Sequence, residues 1–112
     1  MSSGRMRRVD EAIREVLSDA LGSADLKDPR IGFVTVTDVK TSADLRHARV
    51  YVTVLGGQDE RTASLQGLQS ASGVLQRRVG TQLRMKRTPT LEFHYDDTTD
   101  RAMRMEELLD DD

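Results

Sequence analysis

Residues 66–87, QGLQSASGVLQRRVGTQLRMKR, decide the reading of this chain. Leu68, Ala71, Leu75, Val79 and Leu83, with Leu65 just ahead of them, repeat at helical spacing and mark one apolar stripe. Gly73 lies inside that stripe, and glycine in a helix interior costs about 1 kcal/mol relative to alanine. The pattern therefore predicts a kink, or a break into two helices, at Ala71-Ser72-Gly73. Arg77 and Arg84 are seven apart and share one face if the helix continues, with Arg78 beside them and Lys86 and Arg87 beyond. That face lies opposite Leu75, Val79 and Leu83.

Charge sets the same segment apart. The chain as a whole carries a net charge of -2. Residues 61–91 hold six basic side chains and no acid, whereas residues 92–112 hold two basic and nine acidic ones. A single-sign block inside an acidic chain carries information that net charge does not. Arginine holds phosphate through charge and a forked set of donors. With no acid in the block, i,i+4 pairing along the helix does not account for it. A helix start beside the kink also presents backbone amides that a phosphate can approach. The plainer alternative is a solvated face whose arginines pair with the acidic tail.

Upstream, Met6, Val9, Ile13, Val16, Leu17, Ala20 and Leu21 predict an amphipathic helix of about four turns that stops at Gly22. Lys27-Asp28-Pro29-Arg30 is a turn signal, because proline fixes its own φ and restricts the residue before it. Val34 and Val36 alternate with Thr35 and Thr37, and Val39 breaks the alternation, which predicts a bulge or strand end near Asp38. Ala48, Val50, Val52 and Val54 alternate with Arg49, Tyr51 and Thr53 in the clearest strand of the sequence. The short polar loop between these strands predicts an antiparallel hairpin. Gly56-Gly57 ends it, and Gln58 or Asp59 is the expected cap of the next helix.

Downstream, Leu91, Phe93 and Tyr95 alternate with Glu92 and His94 in a third strand that ends at Asp96-Asp97. Met103, Leu108 and Leu109 sit among acids in a tail that reads as a short helix or a frayed end. The order is α-β-β-α-α-β, an α+β fold in which one three-stranded sheet needs helices on its apolar face. One domain is expected over residues 1–98, with the acidic tail at 99–112.

Several function classes are poorly served. The 112 residues include no cysteine, so no thiolate nucleophile or thiolate metal site exists. His47 and His94 fall on different strands, and no phosphate loop, dinucleotide fingerprint or serine elbow is present. Neither a cofactor nor a small-molecule substrate is expected, and the chain reads as a binding module, not an enzyme. No apolar run approaches the ~20 residues of a membrane span, and the start has no apolar signal core, so a cytoplasmic monomer is the expectation. Phe33, Tyr51, Phe93 and Tyr95 are too few for a base-stacking platform, and most are expected in the core. Recognition of backbone and shape suits such a surface better.

The chain resembles the bacterial ribosome-binding factor A family. The resemblance rests on Arg7-Arg8-Val9, Lys27-Asp28-Pro29-Arg30-Ile31-Gly32, Asp44-Leu45 leading into Ala48-Arg49-Val50-Tyr51-Val52, and Ser70-Ala71-Ser72-Gly73. It continues through Leu83-Arg84-Met85-Lys86, Pro89-Thr90-Leu91-Glu92-Phe93 and Met103-Arg104-Met105-Glu106, in order over nearly the whole chain. It implies a KH domain of the bacterial type, with Ala-x-Gly in place of the usual G-x-x-G. It also implies a non-enzymatic assembly factor that binds the immature 30S subunit and 16S rRNA, assists late 16S maturation and serves growth in the cold. The expected RNA-binding residues are Ala71, Ser72, Gly73, Arg77, Arg78, Arg84, Lys86 and Arg87, with Arg5, Arg7 and Arg8 as a second contact. The runner-up is a regulatory domain that docks an acidic protein on the same basic face.

Overall fold

The computed structural model describes residues 4–23, 26, 28–99, 101, 102 and 105. Its elements are α1 (Gly4–Gly22), β1 (Val34–Thr41), β2 (His47–Val54), α2 (Gln58–Ser70), α3 (Ser72–Leu83) and β3 (Thr90–Tyr95). The expected order holds. In α1 the apolar stripe buries Ile13, Val16, Leu17 and Ala20. The helix then closes on Ala20, whose carbonyl accepts from both the backbone and the hydroxyl of Ser23.

β1 and β2 form the antiparallel hairpin, with Val34 opposite Val54 and Val36 opposite Val52. The register shifts between Val36 and Asp38, so Thr37 is the extra residue of a bulge. The bulge lets Val36 and Val39 both turn inward, which explains the broken alternation. β3 lies on the other side of β2 and runs parallel to it, giving the order β1-β2-β3. A parallel pair needs a crossover, and α2 with α3 supplies it.

The helices cover one sheet face. Ile13 and Leu17 of α1, Leu68 of α2, Leu75 and Val79 of α3, and Val39, Val50, Val52 and Leu91 of the sheet are buried together. Two close approaches lock the layers. A Cβ on Gly67 would come within 2.7 Å of Ile31 Cγ1, so α2 admits the 28–32 turn only because residue 67 is glycine. Ser64, itself buried, accepts from the Gly32 amide at 3.1 Å and holds that turn down. Asp28 caps the turn by accepting from the backbone and guanidinium of Arg30, and these bonds pull its carboxyl down to about 2.

Two expectations change. The cap of α2 is Gly57, not Gln58 or Asp59: Glu60 Oε2 reaches back to the Gly57 amide at 2.9 Å, and Asp59 lies within the first turn. Phe33 is not in the core but 81% exposed, at the mouth of the hairpin beside Leu55. Of the tail at 99–112, only 99, 101, 102 and 105 are described, and they are helical. Met103, Leu108 and Leu109 lie outside the described residues. That last helical stretch begins at Thr98, where the amide donates to Asp96 Oδ1 at 3.0 Å.

Candidate nucleic-acid interface

The break between α2 and α3 occurs at one residue. Ala71, at φ -88° and ψ 2°, ends α2 and begins α3. Its amide still donates to Gly67 and Leu68, and its carbonyl still accepts from Leu75. The break between the helices therefore leaves both backbone groups of Ala71 bonded. Gly73 sits in the first turn of α3, with no positive φ and nothing within 4 Å of the place a Cβ would occupy. The glycine thus does not make the bend. What it contributes is a bare, exposed patch of backbone beside the start of α3, where no side chain caps the helix. The first amides of a helix have no intrahelical acceptor.

Along α3, Leu75 and Val79 are buried, while Val74, Arg77, Arg78, Thr81 and Gln82 line a shallow outer groove. Arg77 is exposed and Arg78 half-buried. Arg84 does not continue this face. The helix ends at Leu83, and Arg84 takes the left-handed conformation at φ 51° while its amide and that of Met85 both donate to Gly80. Seven-residue spacing puts two side chains on one face only while the helix lasts, and here it does not. Arg84, Lys86 and Arg87 instead form an exposed basic connection leading to β3.

The N-terminal arginines divide. Arg5 and Arg8 line a groove with Val9, Ala12, Leu83 and Met85, which brings them to the same end of α3 as residues 84–87. Arg7 faces the other side of α1, in a groove with Asp10, Glu11, Arg14 and residues 38–41 of β1. There Glu11 pairs with Arg14, and Asp10 accepts from the Thr41 amide at 3.0 Å. The structure therefore gathers Ala71, Ser72, Gly73, Arg77 and Arg78 along α3, and Arg84, Lys86 and Arg87 with Arg5 and Arg8 at its end. It leaves Arg7 apart.

Sequence reasoning missed two glutamines. Gln69 Nε2 donates to the Leu91 carbonyl and its Oε1 accepts from the Phe93 amide, both at 3.3 Å. Gln76 Nε2 donates to the Thr88 carbonyl at 3.1 Å. Exposed polar residues on a helix carry no sign of a partner far along the chain. Arg61, assigned to the basic block, stacks over the Tyr95 ring at 4.2 Å, so it serves packing as well as charge. Among the described residues no three His, Asp or Glu side chains converge as a metal site.

The family is decided by sequence. A model of the ribosome-binding factor A family matches residues 5–109 of this chain. This chain belongs to the ribosome-binding factor A family. The ribosome-binding factor A of Halothermothrix orenii is 41% identical over 109 residues, covering 97% of this chain and 88% of that protein. The crystal structure of ribosome-binding factor A from Thermus thermophilus superposes with a TM-score of 0.70 at 27% identity, over 80% of this chain and 94% of that one. A Thermus thermophilus ribosome-binding factor A fitted into a cryo-EM map of a 30S complex gives a TM-score of 0.62 at 27% identity, over 86% and 96%. The expected KH-like α+β fold is the fold of this family's solved structures. No helix among the described residues is long and apolar enough to cross a membrane.

Proposed function

We propose that this chain binds the immature small ribosomal subunit and its 16S rRNA, and assists late maturation of that rRNA as a monomeric, cytoplasmic, non-enzymatic factor serving growth in the cold. Residues 1–98 form the binding domain and 99–112 its acidic extension. Support comes from family membership and from the relative fitted into a 30S complex.

The observation that carries the RNA contact is the basic strip itself. The α3 face with Arg77 and Arg78 runs from the uncapped helix start at Ser72 to the connection bearing Arg84, Lys86 and Arg87. At 1.5 Å per residue it is about 18 Å long, enough to follow several phosphates of one backbone. Ser72 and Gly73 supply amides, Ala71 sets their direction, and Arg5 and Arg8 extend the charge at the far end. Arg7 lies off this strip and is the weakest member of the set.

The test is the salt dependence of binding to purified immature 30S subunits. Replacing Arg77, Lys86 and Arg87 by alanine removes three exposed cations. The slope of log Kobs against log[salt] should flatten by about 2–3, since each phosphate neutralised contributes about 0.9. Tm should stay nearly unchanged, because exposed substitutions away from caps and pairs cost within about 0.5 kcal/mol. An unaltered affinity and slope would refute the strip as the contact. A second reading, an acidic protein partner, is favoured by the apolar floor that Val9, Leu83 and Met85 give the Arg5–Arg8 groove. Binding that is insensitive to competing RNA would select it.

A further inference from the structure

β3 is an edge strand, and Gln69 of α2 meets its free edge. Thr90 and Asp96 send their amides to Arg46 and Val52, on the β2 side. The even-numbered residues of β3 therefore bond toward β2. Leu91, Phe93 and Tyr95 turn their amides and carbonyls outward. An uncovered row of such groups is a ready template for any partner that offers a donor beside an acceptor.

Gln69 occupies that template. Its carboxamide bonds to Leu91 O and Phe93 N together, on either side of Glu92. In a parallel ladder those are the two groups that a neighbouring strand residue paired with Glu92 would use. The side chain thus stands in for one residue of a fourth strand. Gln76 covers the Thr88 carbonyl in the connection just before the strand, and α3 presses against the same residue, since a Cβ on Gly80 would collide with Thr88. The gap between the helices and β3 is filled.

The position matters because Gln69 lies two residues before the Ala71 break. One side chain of α2 thus spans from the end of that helix to the β3 edge. An unpaired base turned to that edge would meet the same donor and acceptor that Gln69 uses. The Watson–Crick edge of an unpaired base carries a donor beside an acceptor, as a carboxamide does. Base and Gln69 compete for the same two backbone groups. A duplex offers no free Watson–Crick edge and meets only the outer strip.

We infer that Gln69 is a specificity-determining residue: its carboxamide holds the β3 edge that an unpaired base would take, so this face accepts double-helical RNA over single strands. The inference rests on the RNA-binding reading above. It is tested by fluorescence anisotropy with a blunt-ended RNA duplex and with oligouridine of the same length, on the wild-type chain, Gln69→Ala and Gln69→Met. Alanine favours the helix at this exposed site, so the variant folds. Methionine covers the edge without bonding to it.

Gln69→Ala should tighten oligouridine binding about tenfold, the worth of one or two hydrogen bonds, and leave duplex binding unchanged. Gln69→Met should resemble the wild type. Amide exchange at Phe93 should quicken in Gln69→Ala. If the wild type binds the duplex but Gln69→Ala gains nothing for oligouridine, or gains equally for both, this inference alone fails. Unchanged exchange at Phe93 also overturns it. If the wild type binds neither RNA, the RNA reading fails and takes this inference with it.

Discussion

Two glycines of α3 should respond to the same substitution with opposite signs. At Gly73 an added methyl group meets nothing within 4 Å, and the backbone has no positive φ. Gly73→Ala therefore collects the helical preference of alanine over glycine, about 0.5–1 kcal/mol. For a domain near this size that raises Tm by about 3–6 °C. At Gly80 the same methyl group runs into Thr88 Oγ1, with Thr88 Cβ only 3.5 Å away. Threonine is stiff at χ1 and cannot easily swing clear. Overpacking costs about 1–3 kcal/mol, so after the propensity gain Gly80→Ala should lose about 1 kcal/mol. Adding Thr88→Ala should restore the loss, with a coupling of about 1–2 kcal/mol in the double-mutant cycle. Thermal denaturation of the four variants measures this. A Gly80→Ala midpoint raised as far as that of Gly73→Ala would refute the close seating of α3 on residues 88–90. The subunit-binding assay adds a second readout. Because Ala71 makes the bend, Gly73→Ala should not straighten the helices. It should weaken binding while raising Tm, since the methyl group stands where a phosphate would meet bare backbone. Unweakened binding would remove Gly73 from the contact.

Two further outcomes follow from the 28–32 turn. Asp28 titrates at about 2 in the folded chain against an ordinary 3.8, because it accepts from Arg30. A lowered carboxylate value means that the pairing stabilises fully above pH 3.8 and is lost as pH falls through about 2. In Arg30→Gln the Asp28 carboxyl, followed by NMR, should titrate higher, toward 3.8 but still held below it by the remaining backbone amide of residue 30, and an unmoved value would dismiss the pairing. Gly67→Ala places a Cβ 2.7 Å from Ile31 Cγ1 and 3.2 Å from Arg30 Cβ. It should cost about 1–3 kcal/mol in chemical denaturation despite alanine's helical preference, whereas a stabilised variant would contradict the packing of the turn on α2.

The elements were legible because each rests on a period that one chain segment displays by itself. The run Ala48, Val50, Val52, Val54 can bury one face only as a strand, and Ile13, Val16, Leu17 and Ala20 only as a helix. Even the bulge was visible, since Val39 is out of step. The site was legible as a region and misread in detail. Glycine marked the break, yet Ala71 adopts the non-helical geometry, because bridge-region φ and ψ are open to any residue and leave no compositional trace. Spacing puts Arg84 on the Arg77 face because it says nothing about where a helix stops. The left-handed cap falls on Arg84, where no glycine or asparagine marks the helix end in the sequence. Gln69 escaped notice because its partners belong to β3, and an isolated glutamine on a polar helix face looks like any other.

The plain alternative for the basic block was pairing with the acidic tail, and the geometry of β3 weighs against it. The connection bearing Lys86 and Arg87 enters the strand at Thr90, and the acids leave it after Tyr95. Strand residues rise about 3.3 Å each, so this strand spans about 20 Å, more than two Debye lengths at physiological salt. The first acids of the tail are also engaged locally. Asp96 accepts from the Thr37 hydroxyl at 2.6 Å and Asp97 pairs with Arg101 at 2.8 Å. Those bonds tie the described start of the tail to the β1 bulge, at the end of the sheet remote from the basic connection. The length of β3 produces this separation, and parallel pairing with β2 sets its end, Tyr95, beside Val52 and the β1 bulge, where Thr37 takes Asp96. The crossover through α2 and α3 therefore does two things at once. It builds the basic strip, and it sets Asp96 and Asp97 at the far end of β3, where Thr37 and Arg101 engage them.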